Sequence, residues 1–264
     1  MKIIELESWE CFEQQVSIIF SDWRKLKAEG KYNQWATPRF RGHADADWKL
    51  DTTLERFTKK ASWAQEQYFK TMRDIRPAVI SITGKDWDVP EIEDGKLPPP
   101  GYEFMIYLRH HGFPSPLLDW TRSPYVAAFF AFRSQEKPRS GKVAIYSYVE
   151  HFESSGIATD SNEPTVRGLG PYAVTHKRHY AQQCEYSICE QIIDGNYVYG
   201  SHENPKFGDL NSDLGPVNKY ILPASERTKA LSCLCRMNVT AFSLFGSEES
   251  LMETLAYQEI ERII

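Results

Sequence analysis

Tyr107–Phe132 reads YLRHHGFPSPLLDWTRSPYVAAFFAF, and this stretch decides how the rest of the chain is read. Its second half predicts a helix over Ser123–Arg133. Ser123 can accept from the first free backbone N–H groups, and Pro124 suits the first helical position, where its missing donor costs nothing. Val126, Ala127, Phe129, Phe130, Ala131 and Phe132 then leave almost no polar face, so the helix belongs in a core. The first half is polar and stiff. Arg109, His110, His111, Gly112, Asp119 and Thr121 lie in a short span broken by Pro114 and Pro116. Charged groups beside a buried helix need partners, because an unpaired buried charge is expensive. Two readings follow: a functional site, or a capping and turn network that holds the helix in place.

Towards the C-terminus, Ser134–Gly141 is a basic turn. Val143, Ile145, Ser147 and Val149 then alternate with Ala144, Tyr146 and Tyr148, as in a largely buried strand. Phe152–Tyr172 has no clear period and reads as a long loop. The run His176–Glu185, HKRHYAQQCE, leads into a strand at Tyr186–Cys189. Two helices follow, Ser225–Met237 capped by Ser225 and Ser247–Ile260 capped by Ser247, the second with acids in its first turn.

Towards the N-terminus, a short helix over Tyr102–His111 follows a proline-rich surface loop, Gly84–Gly101. Before it, Ala64, Tyr68, Met72 and Ile75 line one face of a helix from Ser62 to Arg76, which Pro77 ends. Leu50, Leu54 and Phe57 suggest an element packed beneath the polar turn His43–Trp48. Pro38–Gly42 reads as a strand. Ser8 caps a first helix to Lys27, with Trp9, Phe12, Val16, Ile19, Phe20, Trp23 and Leu26 in an amphipathic stripe.

The 264 residues carry a formal net charge of -5, which argues against a nonspecific nucleic-acid binder but leaves room for a local basic cleft. At 41% hydrophobic and 13% aromatic, the chain can build a real core, and no linker divides it. Its five cysteines are odd in number and lack zinc-type pairs, so reduced thiols in a cytoplasmic protein are expected. No signal peptide opens the chain and no apolar run is long enough to span a bilayer, so no membrane partner is expected. No metal is expected either: His110 and His111 read as turn residues, and His176 and His179 do not obviously add a third ligand.

Two motifs resemble the FRG domain family. Arg109-His110-His111-Gly112-Phe113-Pro114, Leu117-Leu118-Asp119-Trp120-Thr121, Ser123-Pro124 and Val126-Ala127 are similar to its signature, and Phe40-Arg41-Gly42 stands for the triplet that names it. Arg109 departs from an expected Gln, and Leu244-Phe245-Gly246 from a Leu-Phe-Pro run. The resemblance runs from about Trp35 to Leu251. It implies one domain over 35–251, with residues 1–34 packed on it as a helix and 252–264 ending the last helix. FRG domains are widespread in bacteria, often near mobile elements, so the resemblance also implies a toxin or anti-phage defence effector.

Taken in order, three pieces further resemble the Arg-Ser-Glu arrangement of ADP-ribosyltransferases. Arg41 ends a strand, Asp119-Trp120-Thr121 falls on a Ser-Thr-Ser triplet before a helix, and Gln183-Cys184-Glu185 falls on the Glu motif. The implied fold is α+β, a single domain with two small, mostly antiparallel sheets around a cleft and flanking helices. The implied reaction takes NAD as substrate. Glu185, with Gln183 before it, would stabilise the oxocarbenium-like centre that appears only in the transition state. Arg41 would clamp the diphosphate, with Arg178 as a second phosphate contact. Thr121 would hold the nicotinamide ribose or orient Glu185, and His111 would reach the adenosine ribose or a phosphate. Asp119 stands where Ser is expected, and its charge would repel a diphosphate unless Arg41 neutralises it.

Each assignment has a structural alternative: Arg41 and Asp119 as an ion pair, Glu185 as a strand surface residue. Arg41, Asp119, Thr121 and Glu185 are expected in one cleft, with Asp119 paired to Arg41 or His111. The leading expectation is an NAD-dependent ADP-ribosyltransferase or NAD glycohydrolase acting on an unknown macromolecule, a protein rather than a nucleic acid. The rival is a non-catalytic module binding a nucleotide or a partner. A nuclease is disfavoured by the charge and by the lack of a carboxylate cluster for metal.

Overall fold

A computed structural model describes residues 1–32, 36–91, 98–150, 164–170, 173, 177–203, 206–207 and 217–261. Among them the elements run in chain order from β1 (Lys2–Glu5) and α1 (Trp9–Ala28) to β2 (Thr37–His43), α2 (Thr53–Thr58), β3 (Trp63–Ala64), α3 (Gln65–Thr83) and α4 (Tyr102–His110). The central stretch forms β4 (Leu118–Thr121) and α5 (Pro124–Phe132), followed by β5 (Lys142–Glu150), β6 (Thr165–Gly168), α6 (Lys177–Ala181), β7 (Cys184–Ile193), β8 (Asn196–Tyr199) and β9 (Lys206–Phe207). The chain closes with β10 (Asn218–Pro223), α7 (Arg227–Arg236), α8 (Ala241–Phe245) and α9 (Glu248–Glu259).

The fold is mixed α and β, and it departs from the expectation of two sheets. All ten described strands belong to one sheet, in the order β1-β10-β5-β2-β4-β7-β6-β9, with β8 on β7 and β3 on β8. Pairing is antiparallel except between β1 and β10 and between β6 and β9. The sheet nearly divides, however. β2 and β4 meet at a single residue pair, Phe40↔Thr121, whereas β2 pairs with β5 along seven residues from Thr37↔Glu150 to His43↔Ala144. The two halves therefore fork below Phe40, and one strand pair joins what the sequence suggests as two sheets.

Alternation along these registers sorts the side chains. Phe40, Thr121, Cys184 and Tyr186 share one face of the sheet; Arg39, Arg41, Trp120 and Glu185 share the other. The first face carries α5, α7 and α1 over β2, β5 and β10, with Phe40, Ile145, Phe132, Leu234 and Trp9 in one core. It carries α3 and α4 over β7, with Tyr68, Met72, Phe104, Ile106 and Tyr186 in a second. On the opposite face Leu118, Trp120, Tyr146 and Tyr148 pack under Ala46 and Leu50.

The α5 helix is as the sequence predicts: the Ser123 hydroxyl accepts from Val126 N at 3.3 Å, Pro124 opens the first turn, and both Phe129 and Phe132 are buried. Burying each of those rings stabilises the fold by about 1.5–3 kcal/mol. Ser8 likewise caps α1. Elsewhere the structure corrects the reading. Pro77 does not end α3, which continues to Thr83 and stops at Gly84 with φ 66°. Pro77 is exposed, so water can take the carbonyl whose helical donor the ring removes. Phe57 is exposed while Leu50 and Leu54 are buried. Ser225 caps nothing: a short 3-10 turn over Ala224–Glu226 precedes α7. Within the expected loop Phe152–Tyr172, β6 forms on the edge of β7; residues 151–163 and 171–172 lie outside the described residues, as does His176. Strand β7 starts at Cys184, two residues earlier than read. All five cysteines are free thiols, and no helix among the described residues is long and apolar enough to cross a membrane.

Candidate functional site

The fork between β2 and β4 opens a cleft of about 600 Å³. Because the strands diverge there, both faces of the sheet contribute to its walls. β2 supplies Phe40, Arg41, Gly42 and His43, and β4 supplies Asp119, Trp120 and Thr121. Two features keep the prongs apart. The oxygen of Asp119 accepts from Arg41 Nη1 at 2.7 Å, so a side chain takes the place of a ladder hydrogen bond. Gly42 is pressed onto α5: a Cβ built there would fall on Ala127 O and lie 2.7 Å from Ala131 N. Only glycine allows that approach, and β2 follows the helix while β4 stays with β7.

The cleft is cationic within an acidic chain. Arg41, Lys49, Arg56 and Arg109 line it against Asp51 and Asp119. Arg109 grips both carboxylate oxygens of Asp119, Nε to Oδ1 at 3.1 Å and Nη2 to Oδ2 at 2.6 Å. Burial pushes the Asp119 carboxyl up, but Arg109 and then Arg41 outweigh it and hold it below the usual carboxylate range. Arg56 donates from Nη1 to Asp51 O at 2.7 Å. Burial lowers the Arg41 guanidinium to about 10; Asp119 opposes this, while Arg109 and Arg56 add to it. Arg56 is lowered in turn, by burial first and by Arg109 next. The three guanidinium groups thus repel one another across the cavity.

Arg41 also donates from Nε to His43 Nε2 at 3.0 Å. Burial and the Arg41 charge hold His43 neutral, well below the ordinary histidine value. Among the described residues Arg41 Nη2 has no partner. Trp48, 56% exposed, stands on the cleft wall beside Lys49, which meets Glu203 at 2.8 Å.

Of the residues the sequence singles out, Arg41, Asp119 and Thr121 come together here. Thr121 Oγ1 donates to Gln182 O at 2.7 Å and accepts from Ser123 N at 3.1 Å, so it ties β4 to the start of α5. Asp119 pairs with Arg109 rather than with the Arg41 or His111 side chain, because the end of α4 brings Arg109 alongside β4. Glu185 is not among the residues lining the cleft. It pairs with Arg39 at 2% exposure, with Arg122 Nε 3.6 Å away. Burial raises its carboxyl, and Arg39 and then Arg122 oppose that. Gln183 is exposed in the left-handed region, φ 50°, and its oxygen accepts from Arg122 N at 3.2 Å. His111 ends α4 on the surface, its ring stacked on Tyr107 at 4.0 Å. Arg178 donates to Phe245 O at 3.3 Å. Neither His111 nor Arg178 lines the cleft.

Sequence reasoning misses Trp48 and Arg56 on the cleft, for which no local pattern exists. It also misses the cluster of His110, His179 and Cys184, whose ligand atoms lie within 4.8 Å of one another. No curated protein and no solved structure matches the chain. The segment that carries both prongs of the fork, residues 37–140, matches the family model of the FRG domain.

Proposed function

We propose that the fork cleft binds a phosphate-bearing nucleotide, with NAD as the first ligand to test. The observation that carries this reading is the convergence of Arg41, Arg56 and Arg109 on one cavity beside the exposed Trp48. Mutually repelling guanidinium groups are relieved by an anion, and their planar forks hold phosphate oxygens in pairs. The indole of Trp48 offers a face on which a base can stack, a contact worth about 1–3 kcal/mol. A volume of about 600 Å³ falls in the ordinary range for such ligands. Asp51 and Asp119 offset part of the positive charge, which keeps the site soluble when free and moderates its affinity.

ADP-ribosyl transfer from NAD is the second reading, favoured by Arg41 and Thr121 facing the same cavity. In it the bond from the ribose C1′ to nicotinamide breaks, nicotinamide leaves with the electron pair, and an acceptor on a protein, or water, bonds to C1′. A carboxylate must face that carbon. Asp119 is on the cleft, but Arg109 holds both its oxygens, and Glu185 does not line the cavity but is buried against Arg39. Binding therefore ranks first and turnover second.

Calorimetric titration of the purified chain with NAD, ADP-ribose and adenosine tests the first reading. NAD and ADP-ribose should bind, adenosine should bind far more weakly, and Arg56→Ala should weaken NAD roughly tenfold or more. Equal affinity for adenosine, or no binding of any phosphate-bearing nucleotide, sinks it. Nicotinamide release by the same samples decides the second reading.

A further inference from the structure

Beside the cleft, three elements bring a soft donor set to one point. His110 is the last residue of α4, His179 lies in α6, and Cys184 opens β7. One ligand atom from each lies within 4.8 Å of the others. Tyr186, on the same face of β7 as Cys184, completes the group: its hydroxyl is 2.7 Å from His110 Nε2 and 3.2 Å from His179 Nδ1. His179, Cys184 and Tyr186 are buried, at 9%, 6% and 1% exposure, while Cys184 also borders the cleft. We propose that His110, His179, Cys184 and Tyr186 form a binding site for one zinc ion, with three ligands from nitrogen and sulfur and the Tyr186 hydroxyl as the fourth donor.

The geometry is close to what zinc needs. Bonds of about 2.0–2.1 Å to nitrogen and 2.3 Å to sulfur in a tetrahedron put donors roughly 3.3–3.8 Å apart. Closing the cluster from at most 4.8 Å needs a shift of about 1 Å, within reach of side-chain rotation. The 2.7 and 3.2 Å spacings from the Tyr186 oxygen to the two imidazoles need less. A thiolate with two imidazoles selects zinc over magnesium or calcium, which require oxygen ligands. Binding forms a Zn–S bond in place of the Cys184 S–H bond and releases that proton to solvent; no group changes oxidation state. The register sets Asp119 opposite Tyr186, and Arg109, which grips both oxygens of that carboxylate, already offsets its charge, so the thiolate is the negative charge left for the ion.

Without zinc the cluster is a hydrogen-bond network, the Tyr186 hydroxyl donating to one imidazole and accepting from the other. Cys184 joins it weakly, with Sγ 3.5 Å from Gln182 Oε1 and in reach of the Tyr186 hydroxyl. The network needs only a thiol there, whereas zinc needs a thiolate bonded to the metal, so Cys184 is the member on which the two accounts differ. Cys189 is the internal control: it lies in the same strand on the opposite face, with its Sγ 3.2 Å from Ser201 O.

The test uses the full chain, stripped with a chelator and dialysed against zinc, with bound metal counted by mass spectrometry. One zinc per chain is expected, with Tm raised by roughly 5 °C or more. Cobalt(II) in its place should give a thiolate-to-cobalt charge-transfer band in the near ultraviolet. Cys184→Ser should lose the zinc and the band, and Cys189→Ser should keep both. A variant with Cys11, Cys189, Cys233 and Cys235 all changed to Ser isolates Cys184 and keeps the question decidable if Cys184→Ser fails to fold. Retention of the band there supports the site. Its loss overturns the proposal, as does folded wild-type protein without stoichiometric zinc, or a band that survives Cys184→Ser. None of these readouts depends on nucleotide binding.

Discussion

Arg109 and Asp119 form a two-point ion pair, 3.1 Å from Nε to Oδ1 and 2.6 Å from Nη2 to Oδ2, that fastens the end of α4 to β4 at the base of the cleft. Asp119→Asn keeps the shape and removes the charge, leaving Arg109, Arg41 and Arg56 to repel one another. A fully buried pair broken this way costs about 3–5 kcal/mol, but the Asp119 side chain is 33% exposed, so a loss of about 1–3 kcal/mol is expected. The folded pKa of Asp119 lies below its ordinary 3.8, so the stabilisation is present above about pH 4 and is lost as pH falls through the folded value. The same variant should bind ADP-ribose more tightly, because the cleft gains a unit of positive charge. Chemical denaturation and calorimetry measure the two effects, and a variant with weaker ADP-ribose binding would contradict the cationic-cleft reading.

Gly42 should not tolerate even alanine. The added Cβ meets the backbone of α5 at Ala127 O and Ala131 N, and neither can move without shifting the buried helix. Overpacking a core costs typically about 1–3 kcal/mol, and a collision with backbone belongs at or above the upper end. Gly42→Ala should therefore lower the denaturation midpoint at least as much as a large-to-small change such as Phe129→Leu. An unchanged midpoint would mean that β2 does not approach α5 as closely as described.

How much of this was legible without coordinates depends on how local each signal is. The cap, the proline and the apolar run of α5 lie within ten residues, and they predict that helix and its burial. Arg41, Asp119 and Thr121 flank it in β2 and β4, and their common cleft follows from the strand pairing at Phe40 and Thr121. The fork itself is tertiary: it needs the Gly42 contact with α5 and the Arg41 contact with Asp119 O. Glu185 stands off the cleft for a related reason. Strand alternation puts it on the face of Arg41 and Trp120, which do line the cleft, and what draws it away is its buried pairing with Arg39, a tertiary contact. The His110, His179 and Cys184 cluster joins a helix end, a short helix and a strand that no spacing rule connects.

The placement of Glu185 changes what its substitution should do. Were it a transition-state group in an open site, Glu185→Gln would leave folding intact. Instead it pairs with Arg39, each side chain 3% exposed. Removing one charge of a buried pair typically costs about 3–5 kcal/mol, because the other is left without its counter-charge. Arg39 also donates to Thr37 O at 3.0 Å, which softens the loss. Glu185→Gln should lower stability by about 3 kcal/mol while leaving NAD affinity, measured at a temperature where the variant is folded, within about threefold of wild type. A stable variant that fails to bind NAD would return Glu185 to the ligand site.

His202 should make the fold acid-sensitive in a way that can be isolated. It is fully buried; Ser187 Oγ accepts from Trp120 Nε1 at 2.8 Å and lies 3.1 Å from His202 Nε2, while among the described residues Nδ1 has no partner. A second ring proton would therefore sit in a buried place near the Arg41 charge. Burial first and Arg41 second lower the group from 6.5 to about 3. Between those values the unfolded chain carries a proton that the folded chain refuses, so stability rises with pH. Going down from pH 6.5, each unit should remove up to about 1.4 kcal/mol through this residue alone. His43 is also held neutral by burial and the Arg41 charge, so the wild-type slope combines the two histidines. In His202→Gln the term is absent while Arg41, His43 and Asp119 remain. Urea unfolding of both proteins at several values between about pH 7.5 and about pH 5 should give a wild-type advantage that is flat above about 6.5 and shrinks by up to about 1.4 kcal/mol per unit below it. A difference that stays constant across the whole range would show that His202 titrates alike in both states and is not held neutral by the fold.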